Sequence, residues 1–171
     1  MYRKGLEHLA EPYRTLISRL LEELLKLVNS RLKSLVVYGS VARGDYRRDS
    51  DVDLLVVIDG LPRSRFERLR LFSEAEARLE ELLERLLDEG YAVSLSPVIK
   101  TPEEASRFSP LYLDMIEDAV VVYDENSFFE NILVKLREKL EQLGAERVRI
   151  GRKWYWRLKK NYRFGDVISI E

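Results

Sequence analysis

The chain has 171 residues and carries 29 Lys+Arg against 30 Asp+Glu, a formal net charge of −1. That balance excludes a histone-like polycation and an acidic tail protein, and 46% apolar with 35% charged residues excludes a disordered chain. It contains no cysteine and a single histidine, which removes disulfides, thiolate metal sites and cysteine nucleophiles and argues against His-based triads and His-rich zinc sites.

At this length about 70% of the unfolded surface can be buried, enough for one sizeable core. No apolar run reaches membrane-spanning length, and the N-terminus lacks a signal-peptide core. A cytoplasmic protein with no membrane partner is expected. Dense charge of both signs without cysteine suits a thermophile.

Residues 6–32 read as a helix, because Leu9, Leu16, Leu20, Leu24, Leu27 and Val28 recur at helical spacing. Lys33–Tyr38 is a short buried strand that enters a turn at Gly39. Val52–Ile58 is a second strand, closed by Asp59-Gly60-Leu61-Pro62. A long helix follows over 64–89, with Ser64 and Glu67 at capping-box spacing and an apolar face of Phe66, Leu69, Phe72, Leu79, Leu82, Leu83 and Leu86. Tyr91–Ile99 is a third strand. Thr101-Pro102-Glu103-Glu104 is a capping box with Pro at the first helical position. Short helices then lead to a strand at Ala119–Tyr123. Ser127-Phe128-Phe129-Glu130 opens a further boxed helix that ends near Gly144. In the tail, Gly151-Arg152 between two alternating segments predicts a hairpin. Helices interleaved with strands place the chain in the α/β (α+β) class. The expected organisation is an N-terminal helix over 1–32, a core over 33–123, and a C-terminal helix with a basic, aromatic hairpin and tail over 124–171.

The chemistry concentrates in Tyr38-Gly39-Ser40-Val41-Ala42-Arg43-Gly44 and in Ser50-Asp51-Val52-Asp53-Leu54-Leu55-Val56-Val57. A strand ending at Gly39 lets backbone approach a ligand closely. Ser40 offers a hydroxyl and an amide where a short helix starts, and such a start presents unpaired amides to an anion such as phosphate. Arg43, one turn on, adds a phosphate contact. Asp51 and Asp53 stand at i and i+2 of a strand and so share a face. Two carboxylates so placed suit oxygen-liganded Mg²⁺ ions that bridge nucleotide phosphates and a reacting hydroxyl.

These residues resemble a family. Gly-Ser, a Gly four residues after that Ser, and then Ser-Asp-x-Asp before an apolar strand are similar to the nucleotidyltransferase superfamily with the polymerase beta fold. The nearest likeness is to its minimal members of bacteria and archaea, known as MNT. The resemblance implies a mixed sheet flanked by helices. It implies an NTP, with ATP favoured, held by Gly39, Ser40, Arg43 and Ser50, and two Mg²⁺ ions on the catalytic pair Asp51 and Asp53. It further implies transfer of a nucleoside monophosphate to a hydroxyl acceptor on a protein, small molecule or RNA, with pyrophosphate leaving. HEPN-type ribonucleases are frequent partners of such proteins, and MNT proteins act as their antitoxins. The family usually carries a third carboxylate on the next strand. Here that strand, Tyr91–Ile99, has no acid, and Ser94 and Ser96 occupy the expected face. Glu103 and Glu104 follow it, Glu104 already as the capping partner of Thr101. The alternative reading is therefore an antitoxin-like module that binds nucleotide without turnover. Asp45 and Asp49 read as solvated loop acids.

Residues 147–163 hold eight basic residues (Arg147, Arg149, Arg152, Lys153, Arg157, Lys159, Lys160, Arg163) and no acid. Trp154, Tyr155, Trp156 and Tyr162 are interleaved, which suits RNA or another polyanion. The preferred reading is plainer: Trp154, Trp156 and Leu158 form one buried face of a hairpin and the cations are solvated. Arg3 and His8 have the R-x₄-H spacing found in HEPN ribonucleases, but a solvated N-terminal His is the preferred reading. The leucine-rich helices face the core, and either can spare a face for a homodimer.

Overall fold

The computed structural model describes residues 1–151 and 153–159. In chain order its elements are β1 (Arg3–Lys4), α1 (Tyr13–Val28), β2 (Leu32–Tyr38), α2 (Gly39–Arg43), β3 (Val52–Ile58), α3 (Arg65–Ala77) and α4 (Glu80–Asp88). They continue with β4 (Leu95–Lys100), α5 (Pro102–Ala105), α6 (Leu111–Asp118), β5 (Val120–Asp124), α7 (Phe128–Leu143), β6 (Glu146–Ile150) and β7 (Lys153–Arg157). Five strands form one mixed sheet in the order β1-β5-β2-β3-β4. β2 runs antiparallel to both its neighbours, while β4 is parallel to β3 and β1 parallel to β5.

β2 and β3 are central because they are apolar on both faces. Leu54, Val56 and Ile58 point into a layer with α1, α3 and α4. Leu55 and Val57 point into the opposite layer with α5, α6 and α7. On the first side Leu16, Ile17, Leu20 and Leu24 of α1 are fully buried. On the second, Phe129, Leu133, Leu136 and Leu140 give α7 its buried stripe.

Several elements differ from the sequence expectation, each for a physical reason. The N-terminal helix is shorter than 6–32. Pro12 has no N–H to continue the helix backward, and Asn29, at φ 52, closes it. Leu9 is still buried, delivered by a single turn at Leu6–His8. Before that turn, β1 covers the edge of β5, a two-residue strand too short to show alternation. The long helix over 64–89 is two helices. Arg78, at the break, donates to Glu23 Oε2 of α1 (3.1 Å), and Lys26 donates to Glu23 Oε1 (2.7 Å). These two cations hold the Glu23 carboxyl below its usual range. A tertiary contact, not a local breaker, marks the joint. Phe66 and Leu69 lie outside the apolar face, at 86% and 39% exposure. β4 begins at Leu95 rather than Tyr91, because Tyr91 turns its ring toward Tyr13 (6.3 Å, edge-on).

The Thr101 box forms as expected: Thr101 Oγ1 accepts from the Glu104 amide and Glu104 Oε2 from the Thr101 amide. The box at Ser127 does not. Ser127 sits at φ 54 without a side-chain cap. Asp124 takes that role, accepting from the amides of Phe129 and Glu130 (both 2.9 Å) and from the buried Ser34 hydroxyl (2.6 Å). One carboxylate thus ties β2, β5 and α7 together. The tail forms the expected hairpin, β6 against β7, with Gly151 at φ 61 in its turn.

Asp124→Ala removes the α7 cap and leaves the Ser34 hydroxyl unpaired. A loss of about 2–4 kcal/mol is expected, read as a lower urea midpoint at unchanged m-value. Ser127→Ala should cost clearly less in the same assay.

Candidate active site

The register of β2 on β3 builds the site. Tyr38 is the cross-strand partner of Asp53, so the chain leaves β2 just where β3 begins. It must turn at once, and Gly39 does so at φ +72. A Cβ on Gly39 would collide with the Asp53 carboxylate. Only glycine provides both the positive φ and the space. α2 then starts directly beside Asp53, and Gly39 and Ser40 occupy its first turn, where amides have no intrahelical acceptor. Val41 and Ala42 bury the inner side of α2. Arg3 donates to the Ala42 carbonyl and pins its far end. The Arg3 guanidinium is thus committed to the fold, and His8 is exposed, as the plainer reading of that pair has it.

Asp51 and Asp53 lie on one face, the one that carries Leu55 and Val57 further along the strand. Asp51 is exposed and Asp53 half-buried. Burial, and then the negative charge of Asp51, raise the Asp53 carboxyl above the usual range, while Arg43 pulls it back. Burial and the Asp53 charge push the Tyr38 phenol up to about 12, so it remains a neutral neighbour. The donors are oxygen only, two carboxylates two residues apart at the start of one strand. That is the chemistry of a site for a hard divalent cation, which takes one or two carboxylates beside substrate phosphates.

Ser94 and Ser96 stand at the start of the strand beside β3, where the family resemblance expects the third carboxylate. Ser94 Oγ donates to Asp51 Oδ1, and its carbonyl accepts from the Val52 amide (2.8 Å). Ser96 is the register partner of Asp53. Glu103 and Glu104 do not reach this place. They follow the other end of β4, whose last residue, Lys100, lies four residues past Ser96, about 13 Å along a strand. There Arg68 donates to both oxygens of Glu104 (2.6 and 3.0 Å). Among the described residues no three His, Cys, Asp or Glu side chains converge on a metal position.

Arg43 sits beside the carboxylates. Its Nε donates to Asp45 (3.1 and 3.2 Å to the two oxygens), and its guanidinium lies 4.9 Å from the centre of the Trp154 ring. Asp49 pairs with Arg47 on the surface. Ser50 closes the loop before β3: its Oγ accepts from the Arg47 amide (2.8 Å). Sequence reasoning missed Trp154 as a neighbour of the site. Its aromatic pattern was visible, but its place depends on how the hairpin packs. Trp156 and Leu158 pack on the α6–α7 layer, as the buried-face reading expects. Arg147 donates to Asp118 (2.7 Å), Arg149 to the Gly151 carbonyl (2.9 Å), and Arg157 pairs with Glu146 (3.1 Å). Arg152, Lys160, Tyr162 and Arg163 lie outside the described residues. No described helix is long and apolar enough to cross a membrane.

Because Asp53 holds its proton more tightly when folded than when unfolded, it costs stability once pH rises above its unfolded value, most fully above its folded one. Asp53→Asn should therefore raise Tm on the order of 2 °C at pH 8 without metal, with no gain at pH 3. Gly39→Ala should lower stability by about 1–3 kcal/mol and displace Asp53, read by calorimetry and by loss of Mg²⁺-dependent nucleotide binding.

Residues 17–111 match the nucleotidyltransferase domain family. Among curated proteins, MJ1305 of Methanocaldococcus jannaschii, a candidate protein adenylyltransferase, is 26% identical over 134 residues, which are 75% of this chain and 86% of that protein. Solved structures with likeness to the chain include a toxin–antitoxin complex with AMP-PNP, at 18% identity and TM-score 0.44 over 72% of this chain and 86% of the other. Another is a tri-AMPylated Shewanella oneidensis HEPN toxin with its MNT antitoxin, at 16% identity and TM-score 0.44 over 75% of this chain and 87% of the other. The match spans the turn at Gly39, α2 and the Asp51–Asp53 strand, so the elements that build the site are those of the domain: the chain belongs to the nucleotidyltransferase domain family.

Proposed function

We propose that the chain transfers AMP from ATP to a hydroxyl on a protein acceptor. The observation that carries this reading is the juxtaposition of Gly39, in the first turn of α2, with the desolvated Asp53 carboxylate. The domain family supports nucleotidyl transfer, and the description of MJ1305 as a candidate protein adenylyltransferase supports AMP and a protein acceptor. A HEPN-type partner is the acceptor the sequence resemblance favours.

Asp51 and Asp53 would hold Mg²⁺, which when bound neutralises triphosphate charge and polarises the reacting phosphate. The first-turn amides of α2, with Ser40, face the triphosphate, and Arg43 offers it a guanidinium. In the reaction the acceptor oxygen bonds to the α-phosphorus and the bond from that phosphorus to the α–β bridging oxygen breaks. Pyrophosphate carries that electron pair away, and the hydroxyl proton passes to water. Ser94 fixes the orientation of Asp51. A serine hydroxyl is a poor base and a poor Mg²⁺ ligand, so the chain itself does little to deprotonate the acceptor.

That last feature favours a second reading, a module that binds nucleotide and partner without turnover. The two part in one experiment, with α-labelled ATP, Mg²⁺ and the protein encoded beside this one. Under the first reading label moves to protein, and Asp51→Asn lowers the rate by about 10²–10³-fold, an effect of the size seen for loss of electrostatic stabilisation at a reacting centre. Under the second, ATP binds without transfer, and Ser96→Asp, which supplies a carboxylate opposite Asp53, gains measurable transfer.

A further inference from the structure

The C-terminal hairpin lies outside the residues 17–111 that match the domain family, yet it reaches the site. Trp154 of β7 is its point of contact. The Arg43 guanidinium lies over the indole at 4.9 Å and the Arg147 guanidinium at 4.3 Å. The indole N–H donates to Asp114 of α6 (3.1 Å). Arg147 is fixed in turn by Asp118 of α6 (2.7 Å). The ring is thus anchored from α6 and from its own hairpin, and Arg43 of α2 rests on it.

How Arg43 is held decides what it can do. Among the described residues only its Nε makes hydrogen bonds, both to Asp45, and Asp45 is 58% exposed. An exposed pair of this kind is weak and easily exchanged. The indole attracts the cation through its face and uses none of the N–H donors. The two Nη groups are therefore available to an incoming anion while the ring holds the guanidinium at the end of α2, the short helix that starts beside Asp53. A long arginine side chain without this support would have many rotamers to lose on binding.

We infer that Trp154 is a positioning residue, which acts through Arg43 to set the affinity of the site for the triphosphate group. The inference rests on the reading of Arg43 as a triphosphate contact, and it extends the nucleotide site to a segment outside the residues 17–111 matched to the domain family.

The test is a coupled set of substitutions with inorganic tripolyphosphate and Mg²⁺ as the probe, measured by titration calorimetry on the full chain. Trp154→Leu keeps apolar volume without an aromatic face, and Trp154→Phe keeps the face without the N–H. Thermal unfolding checks that each variant is folded. Trp154→Leu should weaken tripolyphosphate binding about tenfold, Trp154→Phe no more than about threefold, and Arg43→Ala at least as much as Trp154→Leu. In the Arg43→Ala background Trp154→Leu should have no further effect, because the indole acts only through that guanidinium. With ATP and acceptor the same substitution should raise KM for ATP more than it lowers kcat. Trp154→Leu with wild-type affinity, or equal losses with and without Arg43, overturns the inference alone. A wild-type chain that binds no tripolyphosphate overturns the nucleotide reading and this inference with it.

Discussion

Everything at the site follows from one antiparallel register. With Tyr38 opposite Asp53, the last residue of β2 and the first polar residue of β3 are neighbours across the sheet. The chain therefore has to reverse within a residue of a carboxylate. No side chain larger than hydrogen fits there, and the reversal starts a helix whose open amides adjoin that carboxylate. A shift of the register by one residue would turn Asp53 to the other face and bury it among Leu54, Val56 and α1. The apolar runs Leu35–Val37 and Leu54–Ile58 exclude that shift, since their side chains on both faces already pack against a helical layer. Core packing fixes the register, and the register fixes the chemistry.

The site is also the least comfortable part of the sheet. Two carboxylates share a face, one of them drawn out of water, at the rim of an otherwise apolar strand. Such a pair is stable only when the rest of the strand is held rigidly or when a cation is present. Both conditions are served by the fold. β3 is buried at every position but Asp53, and Arg43 approaches from α2. The ties that hold the surroundings are polar and long-range: Asp124 across β2 and α7, Glu23 between α1 and the α3–α4 joint, Arg3 onto the end of α2. They lie away from the reacting groups and leave these to substrate.

The sequence showed the central strands, the capping box at Thr101, the C-terminal hairpin and the Gly-Ser and Asp-x-Asp segments, because each is local. An apolar run such as Leu54–Ile58, a threonine three before a glutamate, or a glycine between alternating segments declares itself without a partner. What stayed hidden depends on partners. The two-residue β1 exists only because β5 offers it an edge. The break at Arg78 exists because Glu23 of another helix draws the arginine in. Asp124 caps α7 in place of Ser127 because Ser34, ninety residues away, brings it into position. Within the site, the place of Ser94 against Asp51 could be anticipated from the strand pattern. The contact of Trp154 with Arg43 joins segments more than a hundred residues apart, and no local pattern encodes it. Glu103 and Glu104 looked close in sequence, but a parallel strand carries the chain away from the site before the helix begins.

The order of the sheet leaves β4 as an outer strand, and at its middle, opposite Leu54, stands Pro97. Proline has no amide hydrogen to offer a newcomer, and outer strands are where it is tolerated. An incoming strand that sought to continue the sheet past β4 would meet a gap in the ladder at its centre. On the other side the exposed rim is only the two residues of β1. The sheet is thus closed to growth by pairing at both borders, and contact with another molecule falls to the helical faces, the hairpin and the loops around α2.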